Sequence, residues 1–348
     1  MDKPIMEKNG TITVQELTRM DFASDQVVKW CPGCGDYSVL AQVQKVFPTL
    51  GVPKENFVIV SGIGCSSRFP YYMNTYGFHG IHGRAAAIAT GVKLANPDLS
   101  VWIVTGDGDS MSIGGNHFIH LLRRNIDVNI LLFNNRIYGL TKGQYSPTSP
   151  LGKVTKSTPM GSLDHPFNPP ALALGAGASF VARTIDKEPK HMQEMIQRAH
   201  AHHGTSFLEI YQNCLIFNDG EFAKYTDKET KEDNVLVLEH GKPMIFGKNR
   251  DKGIHLAGNS PRVVNIGPEG QWSVNDLLVH DETDWIIASI LSHFTYRDDL
   301  PTPVGVLYAV QQSVYEDLLV EQCRRAVELK GVGDLHDLLN SGDTWTVK

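Results

Sequence analysis

The stretch from Gly106 to Gly143 restricts this chain more than any other, because it reads as strand, glycine-rich turn, helix, strand and then a pair of asparagines. An apolar run, Leu99 to Val104, ends in Gly106-Asp107-Gly108-Asp109, where a strand stops and a tight turn begins. Glycines there let backbone N–H groups come close to an oxyanion, and a helix expected from Ile113 to Arg124 aims its positive end at the same place. A second apolar run, Val128 to Phe133, ends in Asn134-Asn135. In a parallel α/β sheet the carboxyl ends of neighbouring strands open on one crevice, so Asp107, Asn135 and a nearby backbone carbonyl are expected to converge. Carboxylate, amide oxygen and carbonyl, completed by phosphate oxygens, make the hard oxygen shell that Mg²⁺ prefers. The expected occupant is therefore a diphosphate cofactor with its metal.

The rest of the composition narrows the class. A chain of 348 residues with 20% charged and 41% hydrophobic residues has room for a large core and no general tendency to disorder. Its net charge is −6 with no basic cluster, which argues against nucleic acid or an acidic membrane surface as the main partner. No apolar segment approaches a membrane span, and MDKPIMEKNG lacks the apolar region of a signal peptide, so the cytoplasm is the expected compartment. Five cysteines in so large a chain suit metal or redox chemistry better than a disulfide framework.

Taken in order, residues 1–29 read as a polar arm, with a short helix starting over Thr13 to Leu17. Residues 30–219 carry a βα rhythm. Cys31-Pro32-Gly33-Cys34-Gly35-Asp36 opens a helix, YSVLAQVQKVF, and a strand from Asn56 to Val60 runs into Ser61-Gly62-Ile63-Gly64-Cys65. Gly80-Ile81-His82-Gly83-Arg84 leads into the small-residue helix AAAIATGVKLA. After Gly143 a long proline-rich loop is expected to cover the crevice or meet another subunit. A strand over Ala178 to Arg183, a helix over His191 to His202 and a strand over Phe207 to Tyr211 follow, the last delivering Asn213-Cys214. Gly220 to Asp233 reads as a charged linker, and residues 220–348 as a C-terminal extension with short strands, a helix over Gln311 to Leu329 and no chemical motif. Cys323, in that helix, is expected in the core.

Cys31, Cys34, Cys65 and Cys214 all fall in glycine-rich or strand-end loops. Four thiolates suit zinc or a [4Fe–4S] cluster; one close pair with two distant singles favours the cluster over the paired knuckles of zinc sites. The alternative, in which only the C-x-x-C turn has a role, leaves Cys65 and Cys214 as small buried residues.

Gly-Asp-Gly followed by Asn-Asn resembles the thiamine diphosphate signature. With both sites in view, the sequence is very similar to the β subunit of 2-oxoacid:ferredoxin oxidoreductases. The resemblance spans Lys29 to Phe217 and rests on WCPGCGDYSVL, SGIGCSSR, GFHGIHGRAAAIATGVKLANPDL, TGDGDSMSIGGNHFIHLLRRN and NNRIYGLTKGQYSPTS, together with Cys214. It implies an α/β fold, a doubly wound, mostly parallel sheet of the thiamine diphosphate-binding type. It implies one [4Fe–4S] cluster on Cys31, Cys34, Cys65 and Cys214, and Mg²⁺ on Asp107, Asn135 and the carbonyl of Ile137. Ile63, Gly64, Cys65, Ser66, His82, Gly106, Gly108, Asp109, Gly139 and Leu140 are implied to line the thiamine diphosphate.

The same resemblance implies a reversible, coenzyme A-dependent oxidative decarboxylation of a 2-oxoacid with ferredoxin as electron acceptor. Family members take the carboxylate that activates the cofactor's aminopyrimidine ring from an α subunit, so this chain is expected to be inactive alone and to assemble as (αβ)₂. Arg68 and then Lys142 are the candidates for gripping a substrate carboxylate, since guanidinium and ammonium groups suit that task. His82 is a candidate for a phosphate contact or proton transfer, and His117 and His120 are read as structural. GFHGIHGR, GGNHFIHLLRRN and GLTKGQYSPTS resemble the 2-oxoglutarate branch; pyruvate or a broad range of 2-oxoacids is the alternative. A thiamine-dependent decarboxylase without electron transfer has no use for four ligand cysteines, and a zinc-binding assembly subunit leaves the Gly-Asp-Gly and Asn-Asn pair unexplained.

Overall fold

Eight strands form one twisted sheet in the computed structural model, which describes residues 17–267 and 270–347. In chain order they are β1 (Phe57–Ser61), β2 (Tyr76–His79), β3 (Ser100–Gly106), β4 (Asn129–Asn134), β5 (Phe180–Ile185), β6 (Ser206–Tyr211), β7 (Val235–Val237) and, late in the chain, β11 (Thr302–Ala309). Between the last two, β8 (Ile245–Phe246), β9 (Lys252–Ala257) and β10 (Ser260–Asn265) make a separate three-stranded antiparallel sheet. The large sheet runs β2-β1-β3-β4-β6-β5-β11-β7, and its first six strands are parallel. Only β11 and β7, parallel to each other, run against the rest. The sheet is thus mostly parallel, as expected.

Burial on both faces explains the near-continuous apolar runs in β1, β3 and β4. Val58, Val60, Val101, Ile103, Ile130 and Leu132 face helices Ala85–Ala95 and Gly115–Arg124. Phe57, Ile59, Trp102, Val104, Leu131 and Phe133 face helices Asp36–Val46 and Pro189–Ala201. From β1 the chain steps one way to β2 and then back past β1 to β3. The carboxyl ends of β1 and β3 therefore lie at the reversal of strand order, where open α/β sheets bind ligands.

Several sequence expectations change here. A short helix, Asp107–Met111, begins at Asp107 directly after β3, before the expected helix at Gly115–Arg124; Asp107 is thus in a helical first turn, not a loose one. The segment read as a linker packs: Phe222 and Tyr225 are buried against Tyr211 and Val304. Residues beyond 219 do not stand outside the sheet, since β7 and β11 complete it. Cys323 is exposed on helix Tyr315–Lys330, which projects from the body, contrary to its expected place in the core. Of the arm, the helix start over residues 13–17 falls almost wholly outside the described residues, but Phe22 is fully buried between Phe47 and Phe57. Burying a phenyl ring is worth about 2–3 kcal/mol, enough to pin the end of the arm to the core. Among the described residues no helix is long and apolar enough to cross a membrane.

Candidate active site

Cys31, Cys34, Cys65 and Cys214 line one open cavity of about 180 Å³. They reach it from three places: the turn before helix Asp36–Val46, the carboxyl end of β1 and the carboxyl end of β6. Cys34 N–H donates to the Cys31 carbonyl at 3.1 Å, closing the C-x-x-C turn, and Gly33 takes φ +81° inside it, a conformation that favours glycine. Trp30 Nε1 donates to the Cys65 carbonyl at 2.7 Å and Gln212 Nε2 points at Cys34 Sγ at 3.3 Å. Burial, followed by the charges of Asp36 and Cys214, pushes the Cys65 thiol up to about 12, and burial raises Cys34 and Cys214 as well. These three thiols are therefore held in the neutral form, and a metal ligand set would need them deprotonated. Among the described residues no three His, Cys, Asp or Glu side chains are gathered closely enough for a single metal ion; the four cysteines ring a space instead.

Asn135, Gly139, Leu140, Lys142 and Arg68 line the cysteine cavity, and a Cβ on Gly139 would stand 3.5 Å from Cys214 Sγ and 3.7 Å from Cys65 Sγ. Asp107 is buried at the end of β3, and burial raises its pKa. Its Oδ2 accepts from Ser146 and Thr148 hydroxyls, each at 2.5 Å, and among the described residues it has no cationic partner. A buried carboxylate without a counter-charge fits a cation. Asn135 Oδ1 accepts from Ile137 N–H at 3.2 Å, while its Nδ2 donates to Gln212 at 2.9 Å. Arg136 between them has φ +55°, the left-handed kink that turns this segment across the strand ends.

Asp109 has a different task from its neighbour. Its Oδ1 meets His82 Nδ1 at 2.6 Å, Gly83 N–H at 2.7 Å and Ile63 N–H at 3.0 Å, and its Oδ2 accepts from Thr105 at 2.7 Å. Both oxygens are thus taken by protein groups, and Asp109 ties the loops after β1 and β2 to the end of β3. His82 is held by this carboxylate with its ring half-exposed. Gly64, φ +133°, has open space where a Cβ would be, and Tyr138 Oη donates to the Gly108 carbonyl at 3.0 Å. Glycine-rich backbone facing open space beside a buried acid is a cradle suited to a diphosphate and its metal.

Sequence reasoning missed Ser146 and Thr148. Both sit in the long loop after β4, which carries no helix or strand before Pro169 and folds back so that its Ser-Pro-Thr-Ser segment lies on Asp107. The signal was the hydroxyl-rich QYSPTS itself, but nothing local says that it reaches back to Asp107.

Residues 62–210 match the family model of the C-terminal TPP-binding domain of thiamine pyrophosphate enzymes. The 2-oxoglutarate oxidoreductase subunit KorB of Mycobacterium tuberculosis is 50% identical over 99% of this chain and 93% of that protein. The β subunit of 2-oxoacid:ferredoxin oxidoreductase 1 of Aeropyrum pernix is 48% identical over 56% of this chain and 62% of its own length. A solved structure of the 2-oxoglutarate:ferredoxin oxidoreductase from Magnetococcus marinus, with 2-oxoglutarate, coenzyme A and succinyl-CoA bound, superposes with a TM-score of 0.74 at 32% identity, covering 95% of this chain and 97% of that one. The match to the thiamine pyrophosphate-binding domain and these relatives place the chain in the family of 2-oxoacid:ferredoxin oxidoreductase β subunits.

Proposed function

We propose that this chain, with an α partner, converts 2-oxoglutarate and coenzyme A to succinyl-CoA and CO₂, passing two electrons through a [4Fe–4S] cluster to ferredoxin. The observation that carries this reading is that Asn135 and Gly139, from the segment after β4, line the cavity of the four cysteines, while Ser146 and Thr148 of the same segment hold Asp107. The name of the M. tuberculosis relative and the ligands in the M. marinus enzyme support 2-oxoglutarate as the acid and coenzyme A as the acceptor. Thiamine diphosphate supplies a nucleophilic carbon for the 2-oxo group and a sink for the electron pair left by CO₂, and the cluster supplies one-electron transfer.

The protein's own residues bind and orient. Asp107, Asn135 and the Ile137 carbonyl hold Mg²⁺, and Cys31, Cys34, Cys65 and Cys214 hold the cluster. Ile63, Gly64, Ser66, Gly106, Gly108 and Leu140 shape the cofactor's bed, and Asp109 fixes His82 there. Because Asp109 meets Nδ1, the other ring nitrogen, Nε2, is the one free to contact a phosphate or move a proton. Arg68 and Lys142, which line the cysteine cavity, grip a substrate carboxylate. The working assembly is (αβ)₂ in the cytoplasm, with residues 220–348 supplying part of the α contact.

Anaerobic electron paramagnetic resonance on the co-purified complex tests this. With coenzyme A present, 2-oxoglutarate should give a reduced-cluster or radical signal and pyruvate should not. A signal with pyruvate alone would overturn the substrate, and silence with both acids, in a sample containing iron and thiamine diphosphate, would overturn the electron-transfer reading.

A further inference from the structure

A row of buried polar side chains crosses the sheet and ends on Asp107. Arg183 on β5 lies directly beside Glu209 on β6, Glu209 is in register with Leu132 on β4, and Asn134 is the next residue of β4 on the same face. Arg183 Nε donates to Glu209 Oε2 at 2.7 Å; Asn134 Nδ2 donates to Glu209 Oε1 at 2.7 Å; Thr148 Oγ1 lies 3.0 Å from Asn134 Oδ1 and 2.5 Å from Asp107 Oδ2. At the far end Arg183 Nη1 donates to Thr295 Oγ1 at 2.9 Å and to the Pro303 carbonyl at 3.2 Å, so the row is anchored in the C-terminal region. Every side chain from Arg183 to Asp107 is at most 2% exposed.

Packing does not require such a row. Burying an ion pair costs desolvation that its mutual attraction often only balances, and apolar residues of similar volume fill such space at equal or better stability. What an apolar pair does not provide is direction. An ionised carboxylate only accepts hydrogen bonds, so Glu209 forces the Asn134 amide to turn its NH₂ inward and its oxygen outward. That oxygen then accepts Arg136 N–H at 3.2 Å, at the residue with φ +55° that aims Asn135 and Ile137. With the amide reversed, its NH₂ would face Arg136 N–H, donor against donor, and the turn would lose its support.

We infer that Glu209, clamped by Arg183, is a positioning residue for the metal at the diphosphate: by fixing the polarity of the Asn134 amide it sets the Asn135–Ile137 turn. This rests on the proposed Mg²⁺ site.

Calorimetric titration of Mg²⁺, with thiamine diphosphate present, into the Mg²⁺-depleted αβ complex tests it. Asn134→Ala cuts the row and leaves the ion pair whole; Glu209→Gln keeps the shape and loses the directional acceptor. Both should weaken Mg²⁺ binding by about 10–100-fold, as loss of the groups that orient metal ligands does elsewhere. Iron content should stay at the wild-type level. Mg²⁺ affinity in Asn134→Ala within about twofold of wild type, alongside its loss in Asp107→Ala, would overturn this inference alone. Unchanged affinity in Asp107→Ala would remove the metal assignment and the inference with it.

Discussion

Single side chains carry the chemistry, and two of them make direct tests. Asp107→Ala should lose Mg²⁺ and thiamine diphosphate on gel filtration while keeping its iron; unchanged cofactor content would refute its role. Cys214→Ala should lose or degrade the cluster, and a full iron complement would take Cys214 out of the ligand set. A third residue lies away from the site. Burial pushes His202 down from 6.5 to about 4, and its Nε2 lies 2.7 Å from the Ser179 hydroxyl. The unfolded chain takes up a proton near 6.5 while the folded one refuses it until about 4, so stability is present above that window and lost as pH falls through it. The loss is of the order of 2–3 kcal/mol. Thermal unfolding of His202→Asn should therefore fall less steeply than wild type between these values; parallel curves would deny His202 this part. At this scale the sequence could mark Asp107, Asn135 and the four cysteines as candidates because each sits in its own local turn. Ser146, Thr148 and Glu209 were not, since they act on residues distant in the chain.

Elements set where those residues meet. The loop after β2 illustrates how tightly: Gly83 has φ +68°, and a Cβ there would lie 2.5 Å from Gly114 N and 2.6 Å from Ile113 Cγ2. Backbone on one side cannot yield as a flexible side chain would. Gly83→Ala should cost about 2–4 kcal/mol from strain and clash together, and disturb the Gly83 N–H bond to Asp109. Denaturant unfolding measures the first, and thiamine diphosphate affinity the second. The buried parallel strands were readable as apolar runs bounded by glycine and polar residues. Strand β2, Tyr76–His79, was missed because it is an exposed edge without alternation, and β11 because its place depends on pairing with β5. The helix at Asp107 was missed because glycine and aspartate favour turns, and the contacts of Asp107 and Asp109 override that preference.

At the scale of the whole molecule, helix Tyr315–Lys330 and the segment after it leave the body with Leu318, Val320, Val327, Leu335 and Leu338 exposed. Glu316, the last deeply buried residue before them, accepts the Asp127 N–H at 2.8 Å. Truncation after Val320 should leave the unfolding temperature within a few degrees of wild type, since it removes almost no core. It should also weaken association with the α partner, measured by size-exclusion chromatography at falling concentration. A truncated chain that assembles as well as the full one would exclude that contact. Local chemistry was enough to reveal a mostly parallel α/β sheet and to mark a glycine-rich turn and four cysteines as candidates for a diphosphate and a metal, because strand periodicity, glycine turns and ligand types are properties of neighbouring residues. Tertiary structure alone decided that the four cysteines line one cavity with Asn135 and Gly139, that the C-terminal region completes the sheet, and that a row of buried polar side chains runs from the Arg183–Glu209 ion pair on strands β5 and β6 to Asp107. Those are contacts between segments far apart in the chain, and burial and hydrogen-bond satisfaction select them only once the whole sheet has formed.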